Sequence, residues 1–532
     1  MMQSIRGARG MAVAPHALAA QSALNVLREG GNALEATVCA AATIAVVYPH
    51  MNGIGGDSFW LAHAPRRAPR GIDACGAAAL AASREWYAAR GITDAIPFRG
   101  GAAANTVAGT VAGWQSALSM SRQWGGRLPL ARLLADAIYY ADHGFPATRS
   151  QSDNTAIKRG ELESQPGFRE AFLPGGAAPA AGTLFKQPRL AATLKRLARA
   201  GLGDFYMGRL ARSIAADLAA AGSPLALKDL RRHRARLVTP LALTHSLGTL
   251  YNLPPPTQGV VSLLILGMLD ALEVGRTGPQ SPDYVHLAVE AAKRAFAIRD
   301  LIVTDPAYMT VSAQDLLEPA NVRALASEIN RARAAPWGAR TPPSDTVWMG
   351  VIDDAGRAVS AIQSVYHEFG SGIVLEETGI NWQNRGTSFS LDPRALNFLR
   401  AGRKPFHTLN PALALFRDGR TMVYGTMGGD GQPQTQAAVF TRIAVFGLDP
   451  QAAVDAPRWL LGRTWGQSSD TLKLESRFPA AVPGTLGAYG HEIEIVGAYD
   501  EAMGHAGAIV RHPDGVLEGG ADPRSDGTVA AF

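Results

Sequence analysis

Cysteine is nearly absent from the chain: 532 residues contain two, Cys39 and Cys75. Two so far apart make no C-x-x-C redox pair, zinc knuckle or disulfide framework, so the hydrophobic core must hold the fold, as suits the cytosol. Lysine is scarce too, and against 51 basic residues stand 45 acidic ones, a net charge of +6. An excess this small predicts neither a nucleic-acid nor an anionic-membrane partner. Long apolar runs are also missing. The longest, 36–48 and 259–272, fall short of the ~20 residues of a membrane helix, and the opening MMQSIRGARGMAVAPH lacks the apolar stretch of a signal peptide. The expectation is a cytoplasmic protein without membrane contact.

Several familiar sites are excluded by the same kind of absence. No Gly-Lys pair occurs, so there is no G-x-x-x-x-G-K-[ST] phosphate loop. His367-Glu368 and His491-Glu492 lack the second histidine of H-E-x-x-H, and no G-x-S-x-G elbow exists. The GIGGD stretch at 53–57 is not G-x-G-x-x-G and reads as a tight turn after a buried helix. No metal or organic cofactor is expected.

What the chain does have is apolar content, 47%, and glycine, 57 residues, part of it concentrated in GIGGD and TMGGDG. The N-terminal part reads as helices. Pro15 opens one that Gly30-Gly31 stops, and Asn32 caps a second, nearly all-apolar one running to Val47. Amphipathic helices follow near 113–124, 130–143, 188–200, 206–221 and 283–300. Residues 335–345 are Pro/Gly-rich and unpatterned, a linker. Beyond it, strands flank the turns Asp354-Ala355-Gly356 and Arg417-Asp418-Gly419-Arg420, GAIVRHPDGVLEGG repeats the pattern, and one helix spans about 434–445. The sum is an α+β or layered α/β sandwich to which both parts contribute sheets.

Asp345-Thr346 is the junction of linker and strand. A threonine there becomes a new N-terminus if the preceding peptide bond is cut. Its free α-amine, with a pKa of ~7.7–8.0 against ~10.4 for lysine, is partly neutral near pH 7 and can act as base toward the hydroxyl of the same residue.

Seven segments, among them GMAVAPHALAAQSALNVLREGGNALEA, NGIGGDSFW, DTVWMGVIDDAGRAVS, FGSGIVLEETGIN and GTMGGDGQPQTQ, resemble in order and spacing the γ-glutamyltranspeptidase family of N-terminal-nucleophile (Ntn) hydrolases. The likeness runs from about residue 10 to the C-terminus. It implies an αββα sandwich built jointly by a large subunit, 1–345, and a small one, 346–532, after self-cleavage at Asp345-Thr346. It puts Thr346 in the nucleophile's place, the second hydroxyl on Ser364, and the oxyanion-hole glycines on Gly428 and Gly429. The implied partners are the two subunits of one precursor and a small-molecule substrate; whether the heterodimer pairs into a dimer of heterodimers is left open by the sequence.

The recognition shell departs from the family. The arginine that takes a γ-glutamyl carboxylate falls on Cys75, and the positions that take the amine fall on Tyr366, Arg385 and Ser388. An ammonium ion would meet a cation there. The family's serine pair becomes His407-Thr408. With Asn384 beside it, the set Tyr366, Arg385, His407 and Thr408 favours an anion, hence a small acid amide. WQNRG and PFHTLNPA are similar to family members that hydrolyse oxamate to oxalate and ammonia in purine breakdown. The alternatives are a γ-glutamyl hydrolase, transpeptidase or acylase of altered specificity, and an unprocessed binding paralogue without catalysis.

Overall fold

The hairpin of Asp345–Asp353 and Ala358–Tyr366 is the seam of the molecule. It turns at Gly356, whose φ of +74° is one that glycine adopts without steric cost. The computed structural model describes residues 3–338, 345–462 and 469–532, with the side chain of Asp345 outside the description. The linker expected over 335–345 therefore lies largely outside the described residues.

The hairpin sits inside a seven-stranded antiparallel sheet, in the order 528–531, 10–14, 345–353, 358–366, 57–63, 70–74, 236–238. A second antiparallel sheet of seven runs 5–7, 517–521, 507–511, 421–425, 412–416, 248–252, 241–245. Side chains alternate along the nucleophile strand. Val347, Met349 and Val351 join the core under the helices, while Trp348 and Ile352 join the core between the sheets. Trp348 fills that inner layer because three glycines make room for its ring. A Cβ on Gly425, Gly507 or Gly350 would lie 2.2, 2.5 or 2.6 Å from an indole carbon. Its Nε1–H donates to Ser360 Oγ at 2.9 Å, so the buried polar atom is satisfied.

Helices cover both outer faces. Ala17–Arg28 and the fully buried Ala33–Val47 lie on the first sheet. The latter starts in a capping box in which the Asn32 side chain accepts from Glu35 N–H and Glu35 accepts from Asn32 N–H. Gly259–Ala271, Pro282–Ile302 and Gly431–Phe440 lie on the second. The architecture is the αββα sandwich expected.

Three sequence expectations are corrected. Sheets from both parts are present as expected, but the part before residue 335 is not simply helical: strands 5–7, 10–14, 57–63, 70–74, 236–238, 241–245 and 248–252 come from it. Asp57–His63 is buried at every residue, so it shows no polar alternation to read. The helices expected over 130–143 and 206–221 are each interrupted, at Leu134 and at the extended Gly208. The helix expected over 434–445 begins at Gly431 and ends in a π turn over Thr441–Val445, and the helices Pro450–Asp455 and Ala481–Ala488 follow it.

Neither 1–345 nor 346–532 completes a seven-stranded sheet alone. Strand 10–14 is flanked by 345–353 and 528–531, and 248–252 pairs with 412–416. Asp353 Oδ2 also accepts from Ala33 N–H at 2.9 Å, tying the hairpin to a helix N-terminus of the other part.

Candidate active site

Thr346 is fully buried, second in its strand. Asp345 pairs with Tyr366 but Val347 pairs with Gln363, so Ser364 and Val365 together stand against Thr346. Such a bulge ends regular pairing and re-aims the side chains beside it. Tyr366 closes it at φ +86°, a strained value for an aromatic residue, and its N–H donates to Ser364 Oγ at 2.8 Å. On the far side Ser364 pairs with Asp57. A Cβ on Gly56 would lie 2.0 Å from Ser364 O, and one on Gly55 2.1 Å from Asn381 O. The GIGGD glycines thus serve close backbone approach behind the bulge, and the acid that follows them enters the site.

The second glycine loop leads from strand Thr421–Gly425 into helix Gly431–Phe440. Gly428 and Gly429 have φ of +113° and +52°. Their carbonyls turn toward the helix: Gly428 O accepts from Gly431 N–H at 2.7 Å and Gly429 O from Gln432 N–H at 3.2 Å. Among the described residues neither glycine N–H has an acceptor. Gln432 Nε2 makes a long contact, 3.4 Å, to Thr346 Oγ1, which brings the start of the helix beside Thr346.

Gln258 joins this loop to the recognition residues. Its Nε2 donates to Gly429 O at 2.9 Å and to Thr408 O at 3.0 Å, and its Oε1 accepts from Arg299 at 3.1 Å. Arg299 also pairs with Asp430 at 2.7 Å. Sequence reasoning missed Gln258, Gln432, Arg299 and Asp430, since none stands at a position singled out by chemistry of its own.

Arg385 is wholly buried, with its guanidinium carbon 3.6 Å from the centroid of the Tyr366 ring. Nη2 makes one long contact, 3.5 Å, to Thr408 Oγ1; Nε and Nη1 have no acceptor among the described residues. Burial pulls its pKa down to about 10, against the raising effect of Tyr366 and Asp57. His407 Nε2 lies 3.2 Å from Asp57 Oδ2, and Nδ1 has no partner among the described residues. Burial, with Arg385 and Lys404 nearby, holds His407 well below its usual pKa. Asp57 Oδ1 accepts from Gly76 N–H and Gly109 N–H, both at 3.0 Å, yet burial pushes the carboxyl up to about 7.

Two of the residues singled out in the sequence are spent on structure. Asn384 Oδ1 accepts from His367 N–H at 3.2 Å and Nδ2 donates to Phe98 O at 2.8 Å, so its amide holds the loop. Ser388 Oγ donates to Phe406 O at 3.3 Å. Tyr366, Ser388, Arg299 and Phe406 line a pocket of about 400 Å³. Cys75 is a buried thiol between Asp57 and Asp73, raised well above its usual pKa by burial and by those two charges. Donor atoms of Asp57, Cys75 and His407 fall within 4.8 Å of one another, but Arg385 beside them is adverse to a cation. His286, Glu290 and His491 form a similar set that is already closed, by the 2.8 Å His286–His491 bond and the 2.7 Å Glu290–Lys293 pair.

An αββα sandwich with a buried threonine at the head of a central strand and a glycine loop beside it defines an Ntn-type hydrolase. A family model described as Gamma-glutamyltranspeptidase matches residues 19–532. The chain belongs to the gamma-glutamyltranspeptidase family and is a threonine-nucleophile amidohydrolase of that family. It is 58% identical to the oxamate amidohydrolase proenzyme of Klebsiella pneumoniae, over 98% of each chain. It is 40% identical to a glutathione hydrolase-like proenzyme of Bacillus subtilis, over the whole of both. Its fold matches that of a cephalosporin acylase from Bacillus halodurans with a TM-score of 0.91 at 33% identity, over 100% of this chain and 97% of that one.

Proposed function

We propose that the chain is a proenzyme that cuts itself between Asp345 and Thr346 and then hydrolyses oxamate to oxalate and ammonia. In the first step Thr346 Oγ1 attacks the Asp345 carbonyl, the peptide C–N bond breaks, and water hydrolyses the resulting ester. This leaves parts 1–345 and 346–532 in one sandwich, with Thr346 as a free N-terminus. Its α-amine then takes the hydroxyl proton as Oγ1 attacks the amide carbon, ammonia departs with a proton, and water hydrolyses the oxalyl-threonine ester. The N–H groups of Gly428 and Gly429 receive the oxyanion, each worth about 2.7–4 kcal/mol in such a role. Ser364 steadies the nucleophile.

One observation carries the substrate class: a buried guanidinium, Arg385, whose Nε and Nη1 have no acceptor among the described residues, stacked on the residue whose backbone pairs with Asp345. A planar fork in a dry site is suited to a carboxylate, and oxamate carries its carboxylate directly on the reacting amide. The name of the relative at 58% identity supports the same substrate. A second reading, a γ-glutamyl hydrolase or an acylase, has the names of the Bacillus subtilis relative and the acylase structure in its favour. Against it, Arg385 stands where an α-amine would have to bind. We further assign the enzyme to the cytoplasm, to purine nitrogen catabolism, and to a heterodimer able to pair with a second copy.

A denaturing gel with N-terminal sequencing tests the first half of the reading. The expected result is two bands, the smaller starting at Thr346. A single intact band, or cleavage that survives Thr346→Ala, would exclude self-processing.

A further inference from the structure

The cage around Arg385 holds one cation and, once a substrate carboxylate enters, two carboxylates. Arg385 is in no ion pair among the described residues, and the carboxyl group it faces within the protein is Asp57. Lys404, the other cation acting on His407, is already paired with Asp73. Asp57 is tied to Gly76, Gly109 and Gln383 through Oδ1, so only Oδ2 is left for His407. A neutral imidazole that donates from Nε2 to Asp57 presents a bare lone pair at Nδ1, which repels an anion. Adding one proton to the pair reverses this. Whether the carboxyl becomes neutral or the imidazole becomes charged, Nδ1 then carries a hydrogen and the cage is balanced.

We infer that Asp57 and His407 act as a proton-coupled half of the substrate receptor: the pair takes up one proton from solvent as the substrate carboxylate binds beside Arg385. This rests on the assignment of oxamate, the monoamide of oxalic acid, to this site. Asp57 is a positioning residue here, since it reaches the substrate through His407. The charged and titratable groups facing the pair are Arg385, Lys404, Cys75, Asp73 and Tyr206. Arg385 and Lys404 stay cationic through the neutral range, and burial keeps the Cys75 thiol and the Tyr206 phenol protonated. The raised carboxyl of Asp57 puts the titration near neutrality. The sign follows from linkage: above that range the proton must be brought in with the ligand, so affinity falls by about tenfold per pH unit.

The test is calorimetric binding of pyruvate, which matches oxamate in shape and charge but has no amide to lose, to the processed enzyme. Titrations are run in buffers of different ionisation enthalpy between pH 6 and 9. Uptake rising toward one proton per site at high pH is expected. In Asp57→Asn the amide oxygen can still accept from Gly76 and Gly109 while its nitrogen donates to His407, so binding persists with a flat pH profile and no uptake. His407→Gln gives a second variant, likewise without uptake, should the first fail to fold. Binding of pyruvate to the wild-type enzyme with no proton exchange at any pH overturns the inference and leaves the substrate assignment standing. No binding of pyruvate, with no competition against oxamate turnover, overturns the substrate assignment and the inference with it.

Discussion

Arg385 lies on the ring of Tyr366 at 3.6 Å, and Tyr366 is held at φ +86° by the bulge that faces Thr346. The strained backbone of Tyr366 thus seats the guanidinium of Arg385, and the bulge in strand Ala358–Tyr366 sets both against Thr346.

A buried cation without an ion pair is a cost to the fold. Arg385→Met, of similar length and apolar, is expected to raise stability by about 1 kcal/mol or more while lowering kcat/KM for oxamate by at least about a hundredfold. Arg385→Lys should rescue little, because a lysine has neither the planar fork nor the stack. Thermal melts and steady-state kinetics on the same preparations check both halves.

Gln258 supports the glycine loop from behind. Gln258→Glu replaces the donor to Thr408 O and Gly429 O by an acceptor, so that each carbonyl loses one hydrogen bond and meets a carboxylate oxygen instead, at about 1–3 kcal/mol in total. The expected outcome is a loss of kcat of about a hundredfold, with slowed self-cleavage followed on a gel over time. An unchanged kcat would remove Gln258 from the account of the loop.

The Trp348 seat sets the spacing of the two sheets. Gly425→Ala would bring a methyl to 2.2 Å from Trp348 Cδ1 and 2.4 Å from its Nε1. Destabilisation of about 3 kcal/mol or more is expected, at the upper end of overpacking costs, read as a fall in Tm and in the yield of processed protein.

Acid should unfold the C-terminal part through a buried ion network. Asp522 is destabilised by burial but held below its usual pKa by Arg458 and Arg524; Glu475 likewise is lowered, with Arg524 the main opposing partner to burial. Both folded pKa values lie below the unfolded ones of ~3.9 and ~4.3. Their contribution is therefore complete above about pH 5 and is lost as pH falls through the folded values. Urea midpoints measured from pH 7 to 3 should drop steeply below about pH 4, and less steeply in Asp522→Asn, whose stability at pH 7 is already reduced.

Much of the fold was legible because turn chemistry and capping are local. Asp354-Ala355-Gly356 and the cap residue Asn32 each announce an element within a few residues. Strand Asp57–His63 was not legible, since burial on both faces erases the alternation that marks a strand. In the site, Thr346, Arg385 and His407 were reached through motif order and substitution within a recognised pattern. Asp57 was not, because its neighbours read as a turn, and its role depends on His407, 350 residues away. Asn384 shows the opposite failure: a polar residue at a recognition position whose amide the loop itself consumes.

Ammonia release from oxamate, measured beside hydrolysis of a γ-glutamyl anilide on the same processed preparation, decides whether the buried guanidinium selects a carboxylate next to the reacting amide. Turnover of oxamate that is abolished by Thr346→Ala, with little or none of the anilide, is the expected result. Substantial hydrolysis of the anilide with no ammonia from oxamate would contradict it.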